Sequence, residues 1–181
     1  MDIKQQPEER CVDSHPFDIL PLENGSHLIF TPCPGTKGVD IQTSVQQLKQ
    51  AGAEAVITMM PEDEMNRFNA ATLPQVCQQQ SLEWFHMPVE DDSAPASDFH
   101  DAWEREKAKI HQLLDQKGDL VIHCRGGSGR TGLMATILLL ERGVELEKAV
   151  PMVKTLRPNS LKVPSHLEYL ANQQQIKSFG G

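Results

Sequence analysis

Cys124 and Arg130 stand six positions apart, with Arg125, Gly126, Gly127, Ser128 and Gly129 between them and Thr131 after them. An apolar run over residues 120–122 leads into this stretch and reads as a buried strand, and a second run over 133–140 leads out as a buried helix. Glycines let the backbone curl so that successive N–H groups point inward and cup an anion. The helix that follows presents its positive N-terminal end to the same cup. The Arg130 guanidinium is a planar fork that matches two oxygens of a phosphate group. Cys124 sits at the bottom, where the positive field favours the thiolate, the nucleophilic form. Arg125 and Arg130 place two cations against the helix dipole, which makes sense with an anion between them and the helix. The arrangement suits a tetrahedral oxyanion held over a sulfur nucleophile. A plainer reading, a buried cysteine at a strand end before a glycine-rich turn, leaves the two arginines unexplained.

Such a loop needs a rigid frame. Residues 1–16 are polar and charged and are expected to form a flexible tail, with one domain over 17–181. Residues 17–22 and 27–31 read as two strands of a hairpin, joined by a turn at Glu23-Asn24-Gly25. Residues 40–50 read as a helix with Asp40 as cap, Val45 and Leu48 as apolar stripe and Gly52 as terminator. Residues 55–59 read as a strand. The run Pro61-Glu62-Asp63-Glu64 suits the first turn of a helix, with acids at its positive end. A helix over 73–80, a strand over 82–89 and a long helix over 97–116 follow. Phe99, Trp103, Ile110, Leu113 and Leu114 form the core stripe of that long helix. Beyond the signature stretch, helices are expected over 144–156 and 164–176. Strands alternating with helices predict a single-domain α/β fold, with a mostly parallel central sheet flanked by helices on both faces. Ligands in such folds bind beyond the carboxyl ends of the strands. Cys124 follows a strand there, and so does the acidic loop Glu90-Asp91-Asp92.

His123-Cys124, five residues, then Arg130-Thr131 resembles the signature loop of the cysteine-dependent protein tyrosine and dual-specificity phosphatases. The likeness is greatest to the branch containing the cyclin-dependent-kinase-associated phosphatase and runs from about residue 28 to about 170. It implies a phosphocysteine mechanism. Cys124 would be the nucleophile, and the backbone of Arg125, Gly126, Gly127, Ser128, Gly129 and Arg130 would bind phosphate together with the Arg130 guanidinium. Thr131 would donate its hydroxyl to the sulfur, and His123 would orient the loop. In the family an aspartate on a mobile loop after a strand is the general acid. Pro88-Val89-Glu90-Asp91 resembles that pattern and puts Asp91 in the acid position, with Asp92 as the rival and a solvated turn as the plain reading. Related enzymes often carry a water-placing glutamine near the last helix, where this chain has His166. Either His166 takes over water placement or it is an exposed residue of a first helical turn, and the second reading is favoured slightly. Arg157-Pro158 stands where relatives often have polar pocket residues.

The likeness implies a phosphorylated protein substrate, with a kinase as one candidate, and neither cofactor nor metal. The loop has none of the lysines of inositide-directed relatives, and the one tyrosine, Tyr169, comes late. A shallow pocket open to phosphoserine and phosphothreonine as well as phosphotyrosine is expected. The net charge of −8 argues against broad nucleic-acid or anionic-membrane binding. The four cysteines, Cys11, Cys33, Cys77 and Cys124, include no paired motif and fit a reducing, cytoplasmic setting. Cys33 reads as a packed thiol rather than a partner for Cys124. Two rival functions share an anion-cupping loop: a rhodanese-type sulfurtransferase, and a phosphoprotein-binding module with little turnover.

Overall fold

The computed structural model describes residues 13–180, with side chains described through residue 176. Five strands and seven helices follow one another as β1 (Asp18–Pro21), β2 (His27–Thr31), α1 (Ile41–Gln50), β3 (Ala53–Thr58), α2 (Glu62–Arg67), α3 (Leu73–Gln79), β4 (Glu83–His86), α4 (Ser97–Asp115), β5 (Asp119–His123), α5 (Gly129–Glu141), α6 (Leu146–Leu156) and α7 (Pro164–Gly180). The sheet order is β1-β2-β5-β3-β4. Only the β1–β2 hairpin is antiparallel; every other pairing is parallel. This is the α/β architecture expected from the alternation of strands and helices.

β5 is the central strand, and its register aligns three strands at a time. Phe30, Ile122 and Ile57 form one cross-strand row, and Ile29, Val121 and Val56 form the next. Because side chains alternate across a strand, the two rows face opposite sides of the sheet. The first joins a core built with α4, α5, α6 and α7. The second joins a smaller core with α1, α2 and α3. α5 lies in the middle of the larger core and is buried continuously from Arg130 to Leu140, so it is apolar all round rather than striped. α1 starts where expected, with the Asp40 carboxylate accepting the Thr43 N–H at 2.7 Å.

Among the boundaries that differ from the sequence expectation, two bear on the site. The tail does not reach Pro16: His15 is buried, and its Nε2 lies 2.6 Å from Thr31 Oγ1 and 3.1 Å from the Pro32 carbonyl. Residues 1–12, with Cys11, lie outside the described residues. β4 ends at His86, short of the expected Val89. The chain nevertheless stays bonded past the strand ends: Met59 N–H donates to His123 O, Met87 N–H to Thr58 O, and Val89 N–H to Met59 O. This ladder carries residues 87–89 along the carboxyl edge of the sheet and delivers the acidic loop beside Cys124.

Candidate active site

Cys124 is the first residue past β5 and is almost fully buried. Its sulfur accepts the Gly127 N–H at 3.3 Å and the Thr131 hydroxyl at 3.1 Å. Gly127 has a φ of +82°, and a Cβ there would lie 2.7 Å from Pro32 N and Thr31 C. Only glycine allows both that turn and that approach. The segment after β2 therefore braces the loop from one side, and the Cys33 N–H donates to Arg125 O at 3.0 Å. Arg157 braces it from another side. It donates to Ser128 Oγ at 3.2 Å and Gly126 O at 3.0 Å while pairing with Asp18 at 2.9 Å. Ser160 Oγ adds a bond to Ser128 O at 2.8 Å. Gly132 makes room for this contact, since a Cβ there would meet Ser160 Cβ at 2.6 Å.

His123 is fully buried and sits in a polar chain across three strands. Trp84 Nε1–H donates to Thr58 Oγ1 at 2.8 Å, Thr58 Oγ1 lies 2.7 Å from His123 Nε2, and His123 Nδ1 lies 3.1 Å from the Cys124 carbonyl. A carbonyl only accepts, so Nδ1 carries the proton and Nε2 accepts from Thr58. Burial is the main reason its pKa falls, to about 4, so the ring is neutral. Its position fits an orienting rather than a proton-transferring group.

Arg130 is 2% exposed and held by an acid the sequence reading did not single out. Its Nη1 and Nη2 each donate to one oxygen of Glu64 at 2.8 Å, and Nη1 also donates to Val89 O at 2.9 Å. Burial opposes the charge, but the Glu64 bond and the negative groups at Cys124, Glu64 and Asp91 outweigh it and raise the Arg130 pKa. By sequence Glu64 is one of three acids in the first turn of α2. Its spacing carried a further signal: it lies four residues before Phe68, on the face of α2 that packs inward, and an acid there calls for a buried cation.

Asp91 comes within 3.6 Å of Arg130 Nη2 and its side chain is 63% exposed. Asp92 adopts a φ of +58° and has no ion pair with Arg130 among the described residues. His166 corrects the slightly favoured expectation of an exposed helical turn: it is 1% exposed. Its Nε2–H donates at 2.8 Å to the carbonyl of Ser93, on the acidic loop, because the first turn of α7 packs under that loop. Burial lowers its pKa, against the Ser93 bond and the nearby Asp92 and Asp91. Its Nδ1 is buried without a protein partner. Arg125 is exposed, with its guanidinium 4.8 Å from the Phe68 ring centroid. Cys33 is a packed thiol whose pKa burial pushes up to about 12. Among the described residues no cluster of three or more His, Cys, Asp or Glu is placed to hold a metal ion.

The family model described as "Polymorphic toxin system, DSP-PTPase phosphatase" matches residues 34–144. The chain belongs to this DSP-PTPase family. The matched span contains Glu64, Asp91, Cys124 and Arg130 and stops before Arg157 and His166. Among DSP-PTPase relatives, rat "Cyclin-dependent kinase inhibitor 3" is 27% identical over 130 residues, which is 68% of this chain and 60% of the rat protein. The chain thus matches less than two thirds of that relative's length. The PRL-1 phosphatase of Drosophila melanogaster is 25% identical over 162 residues, covering 78% of this chain and 91% of the fly protein. In shape the chain resembles a crystal structure of kinase associated phosphatase whose catalytic-site cysteine is substituted by serine. The TM-score is 0.79 at 21% identity, covering 91% of this chain and 96% of that one. No helix among the described residues is long and apolar enough to cross a membrane.

Proposed function

We propose that this DSP-PTPase hydrolyses phosphate monoesters on proteins through a phosphocysteine intermediate. The observation that carries the reading is the convergence on one small cup of the Cys124 sulfur, the Glu64-held Arg130 guanidinium and the Asp91 carboxylate. Backbone N–H groups of residues 125–130 and Arg130 hold the equatorial phosphate oxygens, where charge spreads in the transition state. The Cys124 thiolate attacks phosphorus as the ester oxygen departs, and Asp91 protonates that oxygen. In the second step Asp91, now a carboxylate, takes a proton from the attacking water. The S–P bond breaks, and the Thr131 hydroxyl stabilises the departing thiolate. Asp91 is preferred to Asp92 because it alone pairs with Arg130. His166 holds the acid loop through Ser93, and its unpartnered Nδ1 is an acceptor suited to placing the attacking water.

The substrates of this reading are phosphotyrosine and also phosphoserine and phosphothreonine on proteins, kinases among them, in a cytoplasmic setting. Tyr169 is stacked on His100 between α7 and α4, so it builds no slot for a phosphotyrosine ring. The test is phosphate release without added metal, from an aryl phosphate and from matched phosphotyrosine and phosphothreonine peptides. Release that disappears in Cys124→Ser while phosphopeptide binding persists is the expected result. Turnover retained by Cys124→Ser overturns the mechanism, and turnover of thiosulfate in place of phosphate esters transfers the protein to sulfur-transfer chemistry.

A further inference from the structure

Seven arginines occur in the chain. Of the six in the described residues, four are paired with carboxylates: Arg105 with Glu106, Arg130 with Glu64, Arg142 with Asp115 and Arg157 with Asp18. The other two, Arg67 and Arg125, have no ion pair among the described residues, although acids outnumber bases in this chain by 25 to 17. Both converge on one ring. The Arg125 guanidinium lies 4.8 Å from the centroid of Phe68, and that of Arg67 lies 6.0 Å from it. An aromatic face attracts a guanidinium and restricts it without neutralising it. Two exposed cations are thereby gathered on one side chain without an ion pair among the described residues.

Their place is the rim of the cup. Arg125 is the residue after Cys124. Phe68 caps the C-terminus of α2, one turn beyond Glu64, whose carboxylate holds Arg130 at the cup floor. α2 therefore turns Glu64 inward to Arg130 and ends in an exposed Arg67 and a half-buried Phe68. The acidic loop with Glu90, Asp91 and Asp92 meets the same Arg130, through Val89 O at 2.9 Å and Asp91 at 3.6 Å. The rim thus carries two guanidinium groups without ion pairs at the end of α2, apart from the carboxylates of the acidic loop.

Building on the phosphatase reading, we propose that Arg67, Phe68 and Arg125 form a second anion subsite, which selects phosphopeptides carrying another phosphate or a carboxylate side chain next to the phosphate being cleaved. A second phosphate can meet the planar fork of either arginine with two oxygens, and a carboxylate can do the same. The protein's overall acidity is thus overridden locally, along one side of the site. A peptide fits better than an anionic membrane surface, since the net charge of −8 and the acidic loop at the same mouth repel such a surface.

The test compares three peptides of one sequence: singly phosphorylated with neutral neighbours, singly phosphorylated with an adjacent Asp, and doubly phosphorylated. An aryl phosphate and a soluble inositol bisphosphate serve as further substrates. For the wild type, kcat/KM should rise about fivefold or more from the first peptide to the third, and the rise should shrink in high salt. In Arg67→Ala the rise should fall to near unity while aryl phosphate turnover is unchanged, and Arg67→Lys should recover part of it. Binding of the same peptides to Cys124→Ser, with and without Arg67→Ala, reads the subsite independently of turnover. Equal affinity of Cys124→Ser for the singly and doubly phosphorylated peptides overturns the subsite, whether or not the wild type is active. Loss of aryl phosphate turnover in Arg67→Ala overturns it too, by assigning Arg67 to the cup itself. A preference for inositol bisphosphate over every peptide overturns the peptide assignment. An inactive wild type that still binds the doubly phosphorylated peptide through Arg67 supports the subsite and refutes the phosphatase reading.

Discussion

A guanidinium taken out of water needs compensation, and Arg130 receives it from Glu64 through two parallel bonds of 2.8 Å. Removing one partner of such a buried pair leaves an uncompensated charge, which typically costs about 3–5 kcal/mol. Glu64→Ala is therefore expected to lower stability by that order, as read by denaturant unfolding, and Glu64→Gln by less because it keeps one acceptor. Phosphate or another tetrahedral oxyanion should restore stability to the Ala variant more than to the wild type, since the anion supplies the missing negative charge. Equal stabilisation of the two proteins would refute that account. Cys124, Arg130 and Thr131 were legible because a single turn of backbone brings them together and sequence spacing encodes it. Glu64 was not singled out because its partner lies 66 positions away, and only its position on the inward face of a short helix hinted at a buried role.

At the scale of elements, the site is assembled where α7 meets the loop after β4. His166 makes one bond to that loop, at Ser93, and Asp91 reaches Arg130 only at 3.6 Å. A loop held by so few contacts depends on each of them. His166→Ala should lower kcat by roughly tenfold or more for alkyl phosphates, whose leaving oxygen needs a proton, and much less for nitrophenyl phosphate, which does not. His166→Gln, which retains a donor, should recover part of the loss. Asp91→Asn should show the same leaving-group dependence more strongly, and Asp92→Asn should not. A uniform loss across leaving groups in His166→Ala would move its role from the acid loop to the second, water-consuming step or to the fold, and unchanged unfolding stability would select the former. The order and type of the elements were readable from apolar periodicity and caps, because each depends on its own residues. The end of β4 and the burial of His166 were not, since both are settled by what neighbouring chain segments lie against them.

For the molecule as a whole, three buried histidines set a common pH response. His15, His123 and His166 all have pKa values lowered mainly by burial, His123 to about 4 from an ordinary 6.5. The unfolded chain binds these protons more readily than the folded one. The stability they contribute is thus fully present above pH 6.5 and is lost as pH falls through the folded values. His123 alone accounts for about 3 kcal/mol across that window. The unfolding free energy should decline steadily between pH 6.5 and 4, as read by urea titrations. A His123→Asn variant should be less stable at pH 7 and show a shallower decline. A wild type of constant stability across that range would contradict the burial of these rings as neutral groups.

The strand order β1-β2-β5-β3-β4 has a consequence for how the chain reaches this structure. β2 and β3 are separated by one strand's width, and the strand that fills the gap arrives last, at Asp119–His123. A nascent chain that has emerged only through β4 holds two half-sheets with open inner edges and no common core. Insertion of β5 joins them and, in the same event, places Cys124 at the sheet's edge and feeds α5 into the larger core. Because so many contacts span distant positions, this step is slow to find and hard to do by halves. Reactive sulfur and closed sheet therefore come into being together, and the newly made protein carries no positioned Cys124 while its sheet is still in two halves.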